Sequence, residues 1–208
     1  MFLLKIYFNL MKKLLLLLFV LLCLWYFLYN SKPSFEPKMI QMLDSKTCER
    51  IIQSKDNYKM SAVSNGNNKV QSEFRTSKSC HFQAGENADI DKIVKNICDM
   101  LNLKSEQIEP VQMTRYSVGE EYKYHYDYFK SDHVNQRHYT IVIYLNDDYD
   151  GGCTAFPYSK KFQPVQGNAL IWSNLNFDNT VNTQTLHAGQ PVLKGTKYIL
   201  TVWTKLLK

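Results

Sequence analysis

The sequence has few of the residues that mark non-globular chains. Its 208 residues include only 8 glycines and 6 prolines, too few for a collagenous or low-complexity chain. Excess charge is also small: 25 basic residues stand against 19 acidic ones, and three of the lysines (Lys5, Lys12 and Lys13) precede residue 31. Residues 31–208 therefore carry an excess of only +3, which disfavours a nucleic-acid-binding surface. With 45% hydrophobic residues, the chain can form one domain with a core.

Common cysteine and glycosylation motifs are missing as well. None of the five cysteines has the Cys-x-x-Cys spacing of a zinc site or a redox motif. No Asn-x-Ser/Thr sequon is present, so glycosylation cannot indicate the compartment. Cys23 lies in an apolar run. In an oxidising compartment the other four, Cys48, Cys80, Cys98 and Cys153, could form two disulfides in three alternative pairings.

One hydrophobic run is present near the N-terminus, and it is short for a membrane span. Residues 14–29 carry no charge, and at about 1.5 Å per residue they span roughly 24 Å, against about 30 Å for a bilayer core. Because lysines precede the run, the positive-inside rule predicts a single-pass type II protein. Residues 1–13 would be cytosolic, Leu14 to Tyr29 would be a transmembrane signal anchor in contact with the membrane, and the remainder would be lumenal, in the endoplasmic reticulum or Golgi. A cleaved signal peptide is the alternative, but bulky residues follow the run where cleavage needs small ones.

The segment after this run is predicted to be a linker that leads into one functional domain. Residues 30–42 contain two prolines and form the linker, and residues 43–208 form the domain. Asp44 and Ser45 can both cap a short helix that ends near Ser54. Residues 57–86 are polar and include an Asn-Gly-Asn-Asn run, which is typical of short strands and mobile loops.

A second helix and a series of strands complete the predicted domain. Apolar side chains recur at helical spacing from Ile90 to Leu101, with Asp89 as a plausible cap. From Val111 onward, short aromatic and β-branched runs alternate with turns. These runs predict strands at 111–117, 122–128, 137–145, 153–156, 169–172, 185–187 and 197–204. The expected fold class is α+β, mainly β, with a closed or double-sheet β structure and helices packed outside it.

A candidate metal site lies in two of the predicted strands. In His125-Tyr126-Asp127, alternation of side chains along a strand places His125 and Asp127 on the same face. This pattern is weak alone, since a histidine and an aspartate often share a strand face. His187 ends another predicted strand and can supply a third ligand. Two histidines and one carboxylate form the facial triad of non-haem Fe(II) oxygenases.

A positive side chain near this triad would hold an acidic cosubstrate. Lys197 follows His187 across a glycine-bounded turn and begins the last predicted strand, where it shares a face with Trp203. Alone it would be interpreted as a solvated turn lysine. Next to the triad, its compact charge on a long stem suits a carboxylate.

Several ordered motifs resemble the catalytic domain of prolyl 4-hydroxylases. The likeness extends over residues 43–205. The motifs are Arg75-Thr76-Ser77, the segment from Arg115 to Phe129, the block from Arg137 to Asn146, the Gly151-Gly152-Cys153-Thr154 turn and the stretch from His187 to Lys197.

The resemblance implies a fold and a reaction. The fold is a double-stranded β-helix, or jelly roll, with N-terminal helices outside it. The reaction is hydroxylation of peptidyl proline with Fe(II), O2 and 2-oxoglutarate, which releases succinate and CO2, and L-ascorbate is expected as a reductant that rescues oxidised iron. Two segments, residues 57–86 and 129–136, are expected to act as lids over a proline-containing peptide or protein.

The resemblance also implies a role for each site residue. His125, Asp127 and His187 would bind iron and act in catalysis. Lys197 would bind the distal carboxylate of 2-oxoglutarate with the help of Tyr116 and Thr154. Residues that match Tyr122, Arg137 and Trp203 lie near the peptide in algal and animal members, although each of these three could instead be a core aromatic or a solvated strand-end charge.

Three departures from the family pattern leave the substrate open. Tyr198 stands where tryptophan is usual, Gln190 where cysteine is usual, and Cys153 where glutamate is common. An oxygenase of the same fold could act on another residue such as lysine, or on a small molecule. A catalytically silent peptide-binding jelly roll and a nucleic-acid demethylase are further alternatives, and the demethylase is disfavoured by the weak charge excess. No extra peptide-binding domain fits in this length, so a monomer or a simple dimer is expected.

Overall fold

The computed structural model describes residues 2–30, 36–65, 68–70, 73–129 and 136–206. The chain contains two compact units, Met1–Phe35 and Glu36–Lys208. The predicted lid at 129–136 lies almost wholly outside the described residues, and so does part of the predicted linker. Parts of the other predicted lid, residues 66–67 and 71–72, also lie outside them.

The first unit contains one helix, α1 (Phe2–Asn30). Among the described residues, no helix is both long and apolar enough to cross a membrane. The prediction of a single-pass type II membrane protein, with its anchor at residues 14–29 and a lumenal domain, is therefore wrong. Lys12 and Lys13 limit the uncharged run to about 24 Å, which is less than the roughly 30 Å of a bilayer core.

The second unit combines two α-helices, two 3-10 turns and many short strands. The helices are α2 (Ser45–Gln53) and α3 (Ala88–Leu101), and the 3-10 turns are Ser105–Gln107 and Thr183–Thr185. The first seven strands are β1 (Lys38–Gln41), β2 (Lys59–Met60), β3 (Val63–Asn65), β4 (Asn68–Val70), β5 (Lys78–Phe82), β6 (Val111–Tyr116) and β7 (Tyr122–His125). The others are β8 (Arg137–Tyr144), β9 (Asp150–Gly151), β10 (Thr154–Ala155), β11 (Lys161–Phe162), β12 (Asn168–Ser173), β13 (His187–Gly189), β14 (Val192–Lys194) and β15 (Lys197–Lys205).

Two sheets of unequal size carry the functional residues. The major sheet has seven strands in the order β1-β12-β8-β15-β6-β5-β2, and the minor sheet has four in the order β11-β10-β13-β7. The described pairs in both sheets are antiparallel. Side chains from both sheets line one cavity, so the sheets face each other across it. This is the mainly β architecture that the sequence predicts.

The hydrophobic core lies on the opposite face of the major sheet, under the helices. Alternation along β15 directs Leu200 and Val202 into this core, and it directs Lys197, Thr201 and Trp203 into the cavity. From α3, Ile90, Ile93 and Ile97 pack into the core and are almost fully buried. Roughly 25 cal/mol per Å² of buried apolar surface stabilises this packing, which gives the cavity a rigid backing.

The helix starts show how local hydrogen bonds set the boundaries. Asp44 caps α2 as predicted, accepting a hydrogen bond from the backbone N–H of Thr47 at 2.8 Å. The cap of α3 differs from the prediction. The side chain of Asn87 accepts from two backbone N–H groups of the first turn, whereas Asp89 lies within that turn and forms an ion pair with Arg50 at 2.8 Å.

Three other features differ from the sequence-based expectations. Residues 38–41, assigned to the linker, form the edge strand β1. This strand pairs with the backbone groups on the outer side of β12. Residues 183–185 form a 3-10 turn, so β13 begins at His187 and does not end there. All five cysteines are free thiols, and no disulfide pairing occurs.

A substitution at Gly167 tests the close contact between the turn before β12 and the segment that follows β1. Its φ is +80°, its carbonyl accepts hydrogen bonds from the backbone N–H groups of Met42 and Leu43, and an added Cβ would clash with the carbonyl oxygen of Leu43. We expect Gly167→Ala to lower the free energy of unfolding by about 3 kcal/mol, from the strained φ and from overpacking. Gly85→Ala is the control, because Gly85 has a φ of +79° with open space around it. It should cost about 1 kcal/mol in denaturant unfolding; equal losses would contradict the assigned clash.

Candidate active site

The cavity between the sheets contains nearly all of the site residues predicted from the sequence. His125, Asp127, His187, Lys197, Tyr116, Thr154, Tyr122 and Trp203 all line it. Arg137 does not line the cavity and lies behind Trp203, with its guanidinium carbon 3.9 Å from the centre of the indole. Arg75, Val142, Gly189, Ile199 and Thr201 complete the lining.

His125, Asp127 and His187 converge on one point. Strand pairing places His125 directly opposite His187, and the two ring centres lie 4.2 Å apart. Asp127 follows β7 and lies between them, with each carboxylate oxygen 3.6 Å from one of the two Nε2 atoms. One ligand atom from each residue lies within 4.8 Å of the others. This spacing can hold a single metal ion.

Backbone carbonyls set the tautomer of both histidines. Nδ1 of His125 lies 2.8 Å from the carbonyl of Lys123, and Nδ1 of His187 lies 2.9 Å from the carbonyl of Thr185. Because a carbonyl only accepts, each Nδ1 must carry the proton. Nε2 of each ring then has no proton and offers its lone pair on the side that faces Asp127. This is the arrangement of metal-bound histidines.

A chain of buried hydrogen bonds orients the aspartate. Thr140 donates from its hydroxyl to Oδ2 of Asp127 at 2.8 Å. Asn174 donates to the same hydroxyl oxygen at 2.8 Å, and its own Oδ1 accepts from the indole N–H of Trp172 at 3.0 Å. Thr140 and Asn174 are completely buried. The carboxylate is therefore held in one orientation before any metal arrives.

The charges of the triad suit a cation. Burial lowers the pKa of His125 to about 3, with a further contribution from the neighbouring His187. Burial would raise the pKa of Asp127, but the imidazoles of His187 and His125 outweigh it and lower the value to about 2. Near neutral pH the site therefore presents a neutral His125 imidazole and a charged Asp127 carboxylate. Nitrogen and carboxylate ligands with open positions fit Fe(II), as in the facial triad.

Lys197 places a buried positive charge on the lining of the same cavity. It is 2% exposed, and strand pairing places it opposite Tyr116. Its Nζ donates to the carbonyl of Gly152 at 2.6 Å and lies 5.1 Å and 5.9 Å from the ring centres of Tyr116 and Tyr144. Within the described chain, no carboxylate lies within 4.0 Å of this ammonium. Burial lowers the pKa of Lys197 to about 8, and an anionic ligand would stabilise its charge.

Thr154 extends this cation site. Its hydroxyl lies 2.8 Å from that of Tyr144, within the buried strand β10. Tyr116 and Tyr144 are buried with it, so aromatic and hydroxyl groups surround the ammonium. A carboxylate could bind here through an ammonium and a hydroxyl, which is the ligand chemistry expected for Lys197 and Thr154.

Arg75 is a site residue for which the sequence analysis assigned no role. It is 6% exposed, and its guanidinium carbon lies 4.7 Å from the ring centre of Tyr122. The imidazole of His125 also stacks on that ring, with ring centres 3.5 Å apart and an angle of 13° between the ring planes. Gln112 accepts a hydrogen bond from Arg75 at 2.5 Å. Tyr122 therefore contacts both the Arg75 guanidinium and the His125 imidazole, and only the pairing of Arg75 with Tyr122 in the tertiary structure reveals the contact with Arg75.

Arg137 supports the wall formed by Trp203. Two hydrogen bonds, of 2.9 and 2.8 Å, join its guanidinium to the carboxylate of Glu109. This bidentate pairing and the stack on Trp203 hold the indole in place. The indole N–H of Trp203 is buried, and its interaction with Asp127 contributes to the low pKa of that carboxylate.

Comparison with known proteins identifies the family. The pattern of the 2OG-Fe(II) oxygenase superfamily matches residues 111–205. Prolyl 4-hydroxylase 5 of Arabidopsis thaliana is 30% identical over 201 residues, covering 82% of this chain and 69% of that protein. The chain belongs to the prolyl 4-hydroxylase family of Fe(II)- and 2-oxoglutarate-dependent dioxygenases.

Two further relatives, one of them a solved structure, agree with this assignment. A putative prolyl 4-hydroxylase of Acanthamoeba polyphaga mimivirus is 34% identical over 128 residues, and the match covers 56% of this chain but only 53% of that protein's own length. The viral collagen prolyl hydroxylase of Paramecium bursaria Chlorella virus-1, solved with 2OG, is 28% identical with a TM-score of 0.69, covering 82% of this chain and 96% of the other. The mainly β fold with few helices matches the jelly roll of these oxygenases.

A substitution at Thr140 tests whether the buried hydrogen bonds orient Asp127 for metal binding. Thr140→Val removes the hydroxyl that donates to Oδ2. Because residues that orient a metal ligand contribute tenfold to hundredfold to metal affinity, we expect Fe(II) to bind about tenfold more weakly or worse. Anaerobic equilibrium dialysis would measure this. Thr204→Val is the matched control, since Thr204 is equally buried but accepts from a backbone N–H of Tyr139. A similar loss in both variants would contradict the role of Thr140.

Lys197 predicts a pH dependence for 2-oxoglutarate binding. With a pKa of about 8, the ammonium is charged below that pH and neutral above it. Affinity for 2-oxoglutarate should therefore fall as the pH rises from 7 to 9, by up to tenfold per unit above 8. Calorimetry under anaerobic conditions would measure it. The control ligand, 2-oxobutanoate, lacks the distal carboxylate and should show no such fall; an equal fall would contradict the assignment.

Proposed function

We propose that this chain hydroxylates peptidyl proline at C4, using Fe(II), O2 and 2-oxoglutarate, with release of succinate and CO2 and with ascorbate serving only to reduce iron that has become oxidised. The observation that carries the proposal is the single cavity in which a His-Asp-His triad and a buried ammonium face the same space. The names of the relatives, all prolyl hydroxylases, support the choice of substrate.

Each part of the cavity has a distinct task in this proposal. His125, Asp127 and His187 would hold Fe(II), which would activate O2 for C–H hydroxylation, with 2-oxoglutarate supplying the other two electrons. Lys197 binds the distal carboxylate of 2-oxoglutarate, with Thr154 and Tyr116 beside it. This fixes the cosubstrate at one end while its keto-acid end lies near the triad. The buried walls exclude water from the reaction.

The peptide would lie against the aromatic wall. Tyr122 and Trp203 offer ring faces to a proline ring, as aromatic grooves do in the recognition of proline-rich segments. Arg137 contributes through Trp203, which it holds in place. Selectivity would then depend on how these rings place one carbon near the metal.

Charge in the cavity favours proline over lysine. Arg75 and Lys197 both carry positive charge on the lining, and Asp127 is the sole carboxylate among the lining residues. Since Asp127 is committed to the metal, a lysyl substrate would bring its ammonium to a site without a counter-charge. A proline ring brings no charge and needs only the aromatic surface.

The test is an assay of the purified chain with iron, 2-oxoglutarate, ascorbate and matched peptides that contain proline or lysine. Mass spectrometry should find one added oxygen on proline peptides only. The amount of succinate formed should equal the amount of hydroxylated peptide. We expect His125→Ala, Asp127→Ala and His187→Ala each to abolish turnover, because each removes a metal ligand, while Lys197→Ala mainly weakens 2-oxoglutarate binding.

The control for the triad variants is His138→Ala, which removes a histidine that stacks on Tyr139 outside the cavity lining. It should retain activity. Full activity in any triad variant would refute the metal assignment. Oxygen on lysine but not on proline would refute the substrate, and a chain that never forms succinate would favour a silent peptide-binding jelly roll.

A further inference from the structure

Tyr149 carries a buried hydroxyl that the mechanism above does not use. The residue is 9% exposed and lies between β8 and β9. Its hydroxyl has no hydrogen-bond partner in the part of the chain that the structure describes. Unpaired buried hydroxyls are costly and rare in native proteins, so this one requires an explanation.

The surroundings of Tyr149 are those of the cation site. A Cβ added at Gly152 would lie 2.9 Å from Cε2 of the Tyr149 ring and 3.2 Å from Cδ of Lys197. Cε2 is bonded to the ring carbon that carries the hydroxyl. The carbonyl of the same glycine accepts the hydrogen bond from the Lys197 ammonium at 2.6 Å. The tyrosine ring and the lysine stem therefore both pack against Gly152.

The hydroxyl is available as a donor. Burial, followed by the nearby phenol of Tyr144, raises the pKa of Tyr149 far above its usual value, so the hydroxyl keeps its proton. Tyr144 is itself bonded to Thr154. Tyr149 therefore neighbours Tyr144, which contacts both the hydroxyl of Thr154 and the ammonium of Lys197.

We infer that the Tyr149 hydroxyl donates a hydrogen bond to the distal carboxylate of 2-oxoglutarate, beside Lys197. This deepens the proposed function and rests on it. A carboxylate has two oxygens that accept about four hydrogen bonds, so Lys197 and Thr154 leave capacity for a further donor. One ligand would then satisfy the tyrosine hydroxyl and neutralise the lysine. These donors select a keto acid that carries a second carboxylate.

The test is Tyr149→Phe in the full chain. Loss of a hydrogen bond to a charged acceptor should weaken 2-oxoglutarate binding to the Fe(II) protein by about tenfold or more, measured by anaerobic calorimetry without turnover. Binding of 2-oxobutanoate, which lacks the distal carboxylate, should be unchanged. The melting temperature of the ligand-free variant should be unchanged or higher, because the substitution removes an unpaired polar atom.

The matched control is Tyr58→Phe. Among the described residues, Tyr58 also has a buried hydroxyl without a hydrogen-bond partner, and it packs against the core on the helix side of the major sheet. It should not alter 2-oxoglutarate affinity. If Tyr149→Phe binds 2-oxoglutarate as tightly as the unaltered chain, or weakens both ligands equally, the inference is wrong and the proposed function stands. If the unaltered chain binds no 2-oxoglutarate, the proposed function itself fails.

Discussion

The antiparallel pairing of β7 with β13 is the contact on which the site depends. It places His125 directly opposite His187, although the two residues are far apart in the chain. Asp127 then needs only to follow the end of β7 to lie between the two imidazoles. A shift of one residue in this register would turn one histidine away from the cavity, because side chains alternate along a strand. The metal site is thus a product of strand register.

One face of the major sheet contributes mainly to stability, and the other carries functional residues. On one face of the major sheet, the helices bury an aliphatic core whose packing holds the strands in position. On the other face, the same strands present Lys197 and Tyr116 to the cavity, and Thr140 donates to the carboxylate of Asp127. Buried charges and hydroxyls destabilise a domain unless they are paired. The apolar face therefore stabilises a fold whose polar face is kept ready for ligands.

Much of this arrangement can be predicted from local patterns. Helix α3 follows from apolar spacing and α2 from Asp44, because both signals act within a few residues. The strands follow from β-branched and aromatic runs. Position within a turn is less predictable: Asn87 and Asp89 are both good caps, and the ion pair of Asp89 with Arg50 favours Asn87 as the cap. Strand β1 was missed because its pairing with β12 is distant in sequence.

The sequence by itself determined the ligand types, the family and the order of the site residues along the chain, since these depend on residue identity and spacing. Only the tertiary structure decided which groups support them. Thr140, Asn174 and Trp172 orient Asp127, and Arg75 stacks on Tyr122, through contacts between distant segments that no local pattern encodes. The same is true of the unpaired hydroxyl of Tyr149. Burial and hydrogen-bond partners arise from how strands pack, and packing depends on the whole chain at once.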